Sequence, residues 1–255
     1  MTESEMVRRL RAAGSVFAEE EAALLANEAP SPERLEAMIA QRVEGLPIEQ
    51  IVGWAEFDGL RFVVEPGVFV PRHRTEFLVQ QAAALGRTGA VVLDLCCGVG
   101  ALGVATGARL GATELHAADV DPAAVRCATI NVGASGRVYE GDLFAPLPAK
   151  LRGRIELLLA NAPYVPSAEI VHLPSEAREH EHPVALDGGG DGLDVHRRVI
   201  AEAPAWLAPG GHLLIEAGVG QAAVAAALMT AAGLRARIVP DEDDESIVVI
   251  GTRTG

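Results

Sequence analysis

Aromatic residues are scarce in this chain, at 4% of 255 positions, and the apolar content is mostly Ala, Val and Leu. That profile disfavours an all-β fold and fits Ala-rich helices on a Val/Leu sheet. No apolar run reaches the roughly 20 residues that a membrane span needs. Cysteine is nearly absent: Cys96, Cys97 and Cys127 are the three present. Adjacent cysteines pair poorly and no zinc-type spacing exists, so all three are expected to be reduced. Positive charge is also short, with 21 Lys and Arg against 35 Asp and Glu and a net charge of −14. Proteins that grip duplex DNA or RNA usually present a basic face. None is visible here, so no direct nucleic-acid binding is expected and a neutral or basic partner is favoured. The densest charge cluster, Asp241-Glu242-Asp243-Asp244-Glu245, is acidic. Met1 to Arg11 is mixed in charge with no apolar signal core, so a soluble, cytoplasmic protein is expected; a monomer is also expected. Hydrophobic residues still make up 49%, enough for a core and against disorder.

Residues 1–50 read as a small helical domain. Ser4 to Ala13 and Ala18 to Ala26 carry apolar residues at helical spacing. Ser31-Pro32-Glu33 is a helix start, and the helix from Glu33 to Val43 stops at Gly45. Residues 51–74 read as a β-hairpin linker, because Trp54–Phe57 and Leu60–Val64 flank Asp58-Gly59. From 75 to 255 the pattern alternates strand and helix. The strands are Val91–Leu95, Leu115–Ala118, Arg137–Tyr139, Ile155–Ala160, His212–Ala217, Leu234–Val239 and Ser246–Gly251. Helices are expected over Ala101–Leu110, Pro122–Asn131, Val195–Trp206 and Gln221–Ala232. The fold class is therefore α/β, a doubly wound seven-stranded sheet with helices on both faces. No helix fits between the last two strands, so they are expected to be an antiparallel hairpin.

The first strand runs into Cys96-Cys97-Gly98-Val99-Gly100 and then a helix. Glycines there let a ligand approach the backbone closely, and the helix N-terminus supplies N–H donors. Asp94 stands just before the turn. Asp119 ends the second strand, where an acid accepts the hydroxyls of a ribose. Asp142 follows the third strand and can accept from an adenine amino group, with Leu143 covering the ring. A glycine pair also serves as a plain tight turn; the acids in register behind it point to a nucleoside ligand. The fourth strand ends at Asn161-Ala162-Pro163-Tyr164. The Asn161 amide oxygen and the Ala162 carbonyl offer two acceptors, matching the two donors of a planar –NH₂ group. Tyr164 can stack on that plane.

Asn161-Ala162-Pro163-Tyr164 resembles the N-P-P-Y loop of amino methyltransferases. Pro47-Ile48-Glu49-Gln50-Ile51-Val52-Gly53, Glu56-Phe57-x-Gly59-Leu60-x-Phe62 and Pro66-Gly67-Val68-x-x-Pro71-Arg72 are similar to the linker of the protein-glutamine methyltransferases, the HemK/PrmC group. Ala185 to Asp194, Leu207-x-Pro209-Gly210-Gly211 and Glu216-x-Gly218-x-x-Gln221 continue the similarity, which runs from about Pro47 to Gly251. The resemblance implies a seven-stranded class I methyltransferase sheet. It implies S-adenosylmethionine as cofactor and methyl transfer to a glutamine side-chain amide, in a release factor or a ribosomal protein. Carried over by position, Asp94, Cys96, Cys97, Gly98, Gly100, Asp119, Asp142, Leu143 and Asn161 would hold the cofactor. Asn161, Ala162, Pro163 and Tyr164 would hold the glutamine. The sequence departs from the family at Ala162, where the first loop proline stands. It reads Pro71-Arg72-His73-Arg74-Thr75-Glu76 for P-R-P-E-T-E, and His180-Glu181-His182 for H-E-P with the proline displaced to Pro183. Cys96-Cys97-Gly98 replaces G-T/S-G.

His172, His180, His182 and His196 read as solvated side chains rather than a metal site. Adjacent Cys96 and Cys97 read as filling space beside the cofactor, and Trp54 and Trp206 as packing. Two alternatives stay open on sequence alone: an adenine-amino nucleic-acid methyltransferase, which meets the same –NH₂ acceptor, and a cofactor-binding protein without catalysis.

Overall fold

The structure, a computed structural model, describes residues 2–242 and 246–254; Asp243, Asp244 and Glu245 of the acidic run lie outside the described residues. Helices α1 (Glu3–Ala12), α2 (Ala18–Glu28) and α3 (Pro32–Val43) open the chain. Helix α1 is capped by the Thr2 hydroxyl, which accepts from the Glu5 N–H at 3.3 Å, and α3 by Ser31, which accepts from Arg34 at 3.2 Å. Pro32 sits in the first turn of α3, where its missing N–H costs nothing. A short helix α4 (Ile48–Val52) was not anticipated; it crosses the boundary expected at residue 50 and stops at Gly53, in the left-handed region at φ +84°. Met6, Leu10, Leu25, Met38, Ile39 and Ile51 bury one another in a core of these helices.

The hairpin pairs β1 (Trp54–Phe57) with β2 (Leu60–Val63) in antiparallel register. Asp58 and Gly59 both take positive φ, 52° and 72°, the turn whose twist suits a two-residue hairpin. It is no free tether: Ala55, Phe57, Phe62 and Val64 bury into the same core as the central sheet. Asn131 fixes its outer edge as a strand would. Its carbonyl accepts from the Val63 N–H at 2.8 Å while its amide donates to the Val63 and Val99 carbonyls at 3.0 and 2.9 Å.

The central part contains α5 (Glu76–Leu85), β3 (Ala90–Leu95), α6 (Ala101–Leu110), β4 (Thr113–Asp119), α7 (Pro122–Val132), β5 (Gly136–Glu140) and β6 (Ile155–Ala160). Then follow α8 (Ser175–His180), α9 (Asp194–Trp206), β7 (Leu207–Glu216), α10 (Ala222–Ala231), β8 (Leu234–Pro240) and β9 (Ile247–Arg253). The seven strands lie in the order β5-β4-β3-β6-β7-β9-β8, with β9 antiparallel to both its neighbours. The chain turns back at β3 and β6, whose C-terminal tips open a crevice at the edge where such sheets bind ligands. β7 starts five residues before the expected His212, directly after α9. Gly211 makes this possible, since a β-carbon there would stand 2.6 Å from the Ile155 carbonyl oxygen on β6. Helix α5 was also unanticipated; it buries Leu78, Val79 and Ala82. Between β6 and α9, α8 and the 3₁₀ turns Ser167–His172 and Pro183–Ala185 roof the crevice.

Asp94 lies wholly buried in β3. Its Oδ2 accepts from the Gly103 N–H at 2.8 Å, joining strand to helix α6, and its Oδ1 has no partner among the described residues. Burial lifts its pKa from 3.8 to about 8, with nearby Asp119 adding to the rise. The folded protein therefore holds a proton that the unfolded chain releases. This contribution to stability is full below the unfolded value and is lost as pH rises from 3.8 towards about 8. Asp94→Asn keeps an acceptor for Gly103 and cannot ionise. Urea unfolding should show a smaller fall in stability between about pH 5 and pH 8 in the variant than in the wild type; parallel profiles would refute the assignment.

Candidate active site

A cavity of about 600 Å³ lies at the C-terminal edge of β3, β4 and β6, a size suited to a nucleoside and an acceptor group together. Its floor begins with the glycine turn. Cys96 and Gly98 both sit at φ +53° and Gly100 at φ +82°. A non-glycine residue in that region is uncommon, so Cys96 marks a backbone bent for a purpose. At Gly98 an added β-carbon would meet no atom within 4 Å, whereas at Gly100 it would stand 3.2 Å from Val132. Gly100 thus brings α7 close, and Gly98 leaves the turn open towards the cavity.

Asp119, at the tip of β4, locks this turn. One carboxylate oxygen accepts from the Gly98 N–H at 2.8 Å and the other from Asp121 at 2.9 Å. Burial raises its pKa in spite of those bonds. Burial also pushes the Cys96 and Cys97 thiols far up, so neither is a nucleophile. Leu143, in a left-handed backbone at φ +48°, is buried against the same space. Asp142 is exposed and held by Arg198 of α9 at 2.5 Å, a partner that sequence reasoning missed. Of the expected residues, Cys96, Gly98, Asp119, Asp142, Leu143 and the whole of Asn161 to Tyr164 line the cavity. Asp94, Cys97 and Gly100 do not: they stand behind the turn, where their bonds and packing shape it.

The loop after β6 meets the floor at Asn161. Its Nδ2 donates to the Thr75 hydroxyl at 3.4 Å, which leaves Oδ1 without a partner among the described residues. Ala162 is buried, and its carbonyl likewise accepts no bond among them. Two acceptors of adjacent residues thus stand on one wall. Tyr164 is braced at its hydroxyl, which donates to Glu216 at 3.0 Å and accepts from Arg74 Nη2 at 2.7 Å. Burial and Glu216 push the Tyr164 phenol up to about 12, so it stays protonated. The Tyr164 carbonyl accepts from Gln221 at 2.8 Å, and Gly192 packs so close that a β-carbon would reach 2.2 Å from that oxygen. This is why the glycine-rich segment after Leu186 carries no side chain there.

The roof is pinned from two sides. Glu181 is buried, accepts from the Val70 N–H at 3.1 Å and pairs with Arg72 through both oxygens at 2.7 and 2.8 Å. Burial raises its pKa against the pull of Arg72. His182 meets Asp121 at 2.6 Å. His196, expected to be solvated, is instead buried under Tyr164, because its Nε2 finds the Glu216 carbonyl at 3.0 Å, and burial lowers its pKa. Among the described residues no three or more His, Cys, Asp or Glu are grouped to hold a metal ion. Trp206 stacks on Phe144 and Trp54 lies under Arg61, both as packing.

Residues 59–174 match the Methyltransferase small domain family. The crystal structure of a methyltransferase from Pyrococcus furiosus shares the fold, with a TM-score of 0.58 at 15% identity over 76% of this chain and 90% of that one. A protein of Streptomyces pristinaespiralis named 4-amino-L-phenylalanine/4-methylamino-L-phenylalanine methyltransferase is 37% identical over 212 residues, 80% of this chain and 72% of that one. The release factor glutamine methyltransferase of Geobacter sulfurreducens is 37% identical over 231 residues, 88% of this chain and 80% of that one. At that identity and coverage, the chain belongs to the release factor glutamine methyltransferase family.

Proposed function

We propose that this protein transfers a methyl group from S-adenosylmethionine to the side-chain amide nitrogen of a glutamine in a protein substrate, a release factor or a ribosomal protein. One observation carries this reading. The Asn161 oxygen and the Ala162 carbonyl stand free on the cavity wall beside a braced Tyr164. Two adjacent acceptors fit the two N–H bonds of an amide and no hydroxyl or thiol acceptor.

The cavity suits the cofactor. Gly98 leaves room for a close approach, Asp119 keeps lone pairs for ribose hydroxyls, and Leu143 with Asp142 flanks the place for a purine. When bound, the cofactor supplies a methyl group on a sulfonium, open to in-line displacement. The protein's own part is positioning. An amide nitrogen is a weak nucleophile because its lone pair is delocalised, so orientation matters more than basicity. Asn161 Oδ1 and the Ala162 carbonyl hold both N–H bonds, aim the nitrogen and stabilise the positive charge that develops on it. Tyr164, neutral and fixed at its hydroxyl, supplies a face for the amide plane. A strong base is not needed, because the amide proton becomes acidic as the new bond forms.

We assign residues 1–50 to holding the substrate protein, 51–74 to the link and 75–255 to methyl transfer. Pro47 and Glu49 reach the cavity wall, so the first unit borders the acceptor site. The net charge of −14 favours a neutral or basic partner and disfavours nucleic acid. No helix of the described residues is long and apolar enough to cross a membrane. We read the protein as a cytoplasmic monomer.

Asp119→Ala should weaken S-adenosylmethionine binding by about 10- to 100-fold, the weight of a charge-assisted hydrogen bond. Calorimetry on the variant measures this, and wild-type affinity would remove Asp119 from the site.

Asn161→Ala should leave cofactor affinity nearly unchanged and lower turnover on the substrate protein by about 10²–10³-fold, as when one preorganised electrostatic partner is lost. Asn161→Asp should retain part of the activity, since the Thr75 hydroxyl can turn to donate to a carboxylate that still accepts from –NH₂. Labelled-methyl transfer with identification of the modified residue tests both variants and the function. Wild-type turnover by Asn161→Ala would sink this mechanism.

A further inference from the structure

Arg74 lines the acceptor side of the cavity, with 47% of its side chain exposed. A guanidinium carries five N–H donors. In Arg74, Nε points to Glu216 Oε1 at 3.3 Å and one Nη2 hydrogen to the Tyr164 hydroxyl at 2.7 Å. The Nη1 end makes no bond among the described residues. The anchor is one-sided: Glu216 touches the guanidinium through a single oxygen, and its Oε2 is buried without a partner. Tyr164, protonated up to about pH 12, adds no negative charge.

Elsewhere in this chain an arginine already anchored to one carboxylate takes a second. Arg42 binds Glu21 through Nε and Nη2, at 3.0 and 2.8 Å. It then uses Nη1 to take a second carboxylate, Glu176, at 2.6 Å. Arg74 is less occupied: its Nε and Nη2 meet one Glu216 oxygen and the neutral Tyr164 hydroxyl, and its Nη1, on a side chain that lines the cavity, has no bond among the described residues. A guanidinium presented this way prefers a carboxylate over a neutral oxygen, because the bond is charge-assisted and planar. The position is also one where the sequence reads Arg within a segment that carries Glu in the family pattern, so the local sign of charge is reversed. The acidity of the whole molecule does not oppose this: it acts over the range of a protein partner, whereas Arg74 acts at contact distance.

The geometry points to Arg74 as a specificity-determining residue that selects acceptors bearing a carboxylate close to the methylated nitrogen. This rests on the proposed methyl transfer to an amide and names the chemistry beside that amide. The carboxylate comes from one of two sources: an acidic residue flanking the glutamine in a substrate loop, or the main-chain carboxylate of an amino-acid-sized acceptor.

Two matched pairs of probes separate the sources. One is a Gly-Gly-Gln peptide followed by Asp or by Asn; the other is free glutamine against its α-amide. Calorimetry on the enzyme saturated with S-adenosylhomocysteine reads binding, and labelled-methyl transfer reads turnover. The wild type should favour the carboxylate member of at least one pair by about tenfold, the weight of one charge-assisted bond. Arg74→Gln should abolish that preference and Arg74→Glu reverse it, with cofactor affinity within about twofold serving as the check on folding. Arg74→Lys should keep part of it. Equal binding within both pairs, a preference for the neutral members, or a preference that survives in Arg74→Gln overturns the inference. A carboxylate preference in binding without methylation of any probe or of a release factor overturns the glutamine reading and leaves Arg74 standing. Methylation without preference does the reverse, and absence of binding by all four probes removes Arg74 from the acceptor site.

Discussion

A peptide that leaves a buried parallel strand gives up its ladder partners, and each buried polar group left unpaired costs about 1–3 kcal/mol. Beyond Ala160 the chain meets that constraint while two acceptors, Asn161 Oδ1 and the Ala162 carbonyl, stay unbonded among the described residues. The free groups are possible only because the others are satisfied from elsewhere. Val165 exchanges bonds with Leu186 and Gly188, at 3.1 and 2.8 Å. Gln221 takes the Tyr164 carbonyl, and Thr75 takes the Asn161 amide nitrogen. Three segments distant in sequence converge on five residues, and each reaches them from the end of an element: α5, the glycine-rich loop before α9, and the start of α10. The site is the place where these ends meet.

That origin explains what could be read in advance. Local chemistry was legible: Asp58-Gly59 demands its turn, Ser31-Pro32 its helix start, and the order of glycine turn, Asp119 and Asp142 its place along the sheet edge. Asn161 to Tyr164 were placed by one motif and the end of one apolar strand. The rest is written in pairs that sequence spacing does not reveal. Arg72 and Glu181 are 109 residues apart, Arg74 and Tyr164 90, and Arg198 and Asp142 56. Apart from Tyr164, each member alone looks like a solvated charge. Helix α5 escaped notice because Phe77-Leu78-Val79 is a short apolar run, cut by Gln80-Gln81 and equally suited to a strand. The roof escaped because its helices are too short to carry a period.

Residues that line the cavity differ from residues that shape it. Asp94, Cys97 and Gly100 belong to the glycine turn in sequence yet stand behind it in space. Asp94 ties β3 to α6, and Gly100 lets α7 approach. A motif compresses wall and scaffold into one string, because both are needed to bend the same few peptides.

Gln50 draws this into a consequence for how such proteins can be recombined. Its buried carboxamide donates to the Val68 and His180 carbonyls, both at 3.1 Å, and accepts from the Gly67 N–H at 3.2 Å. A single side chain at the end of the helical unit therefore stands in for missing main-chain partners of both the linker and the roof. The helices before it are not an interchangeable cartridge. A graft that brought different helices without this amide would leave three peptide groups of the recipient unsealed, so the natural cut point for shuffling lies upstream of residue 50, never at the visible joint between helices and hairpin.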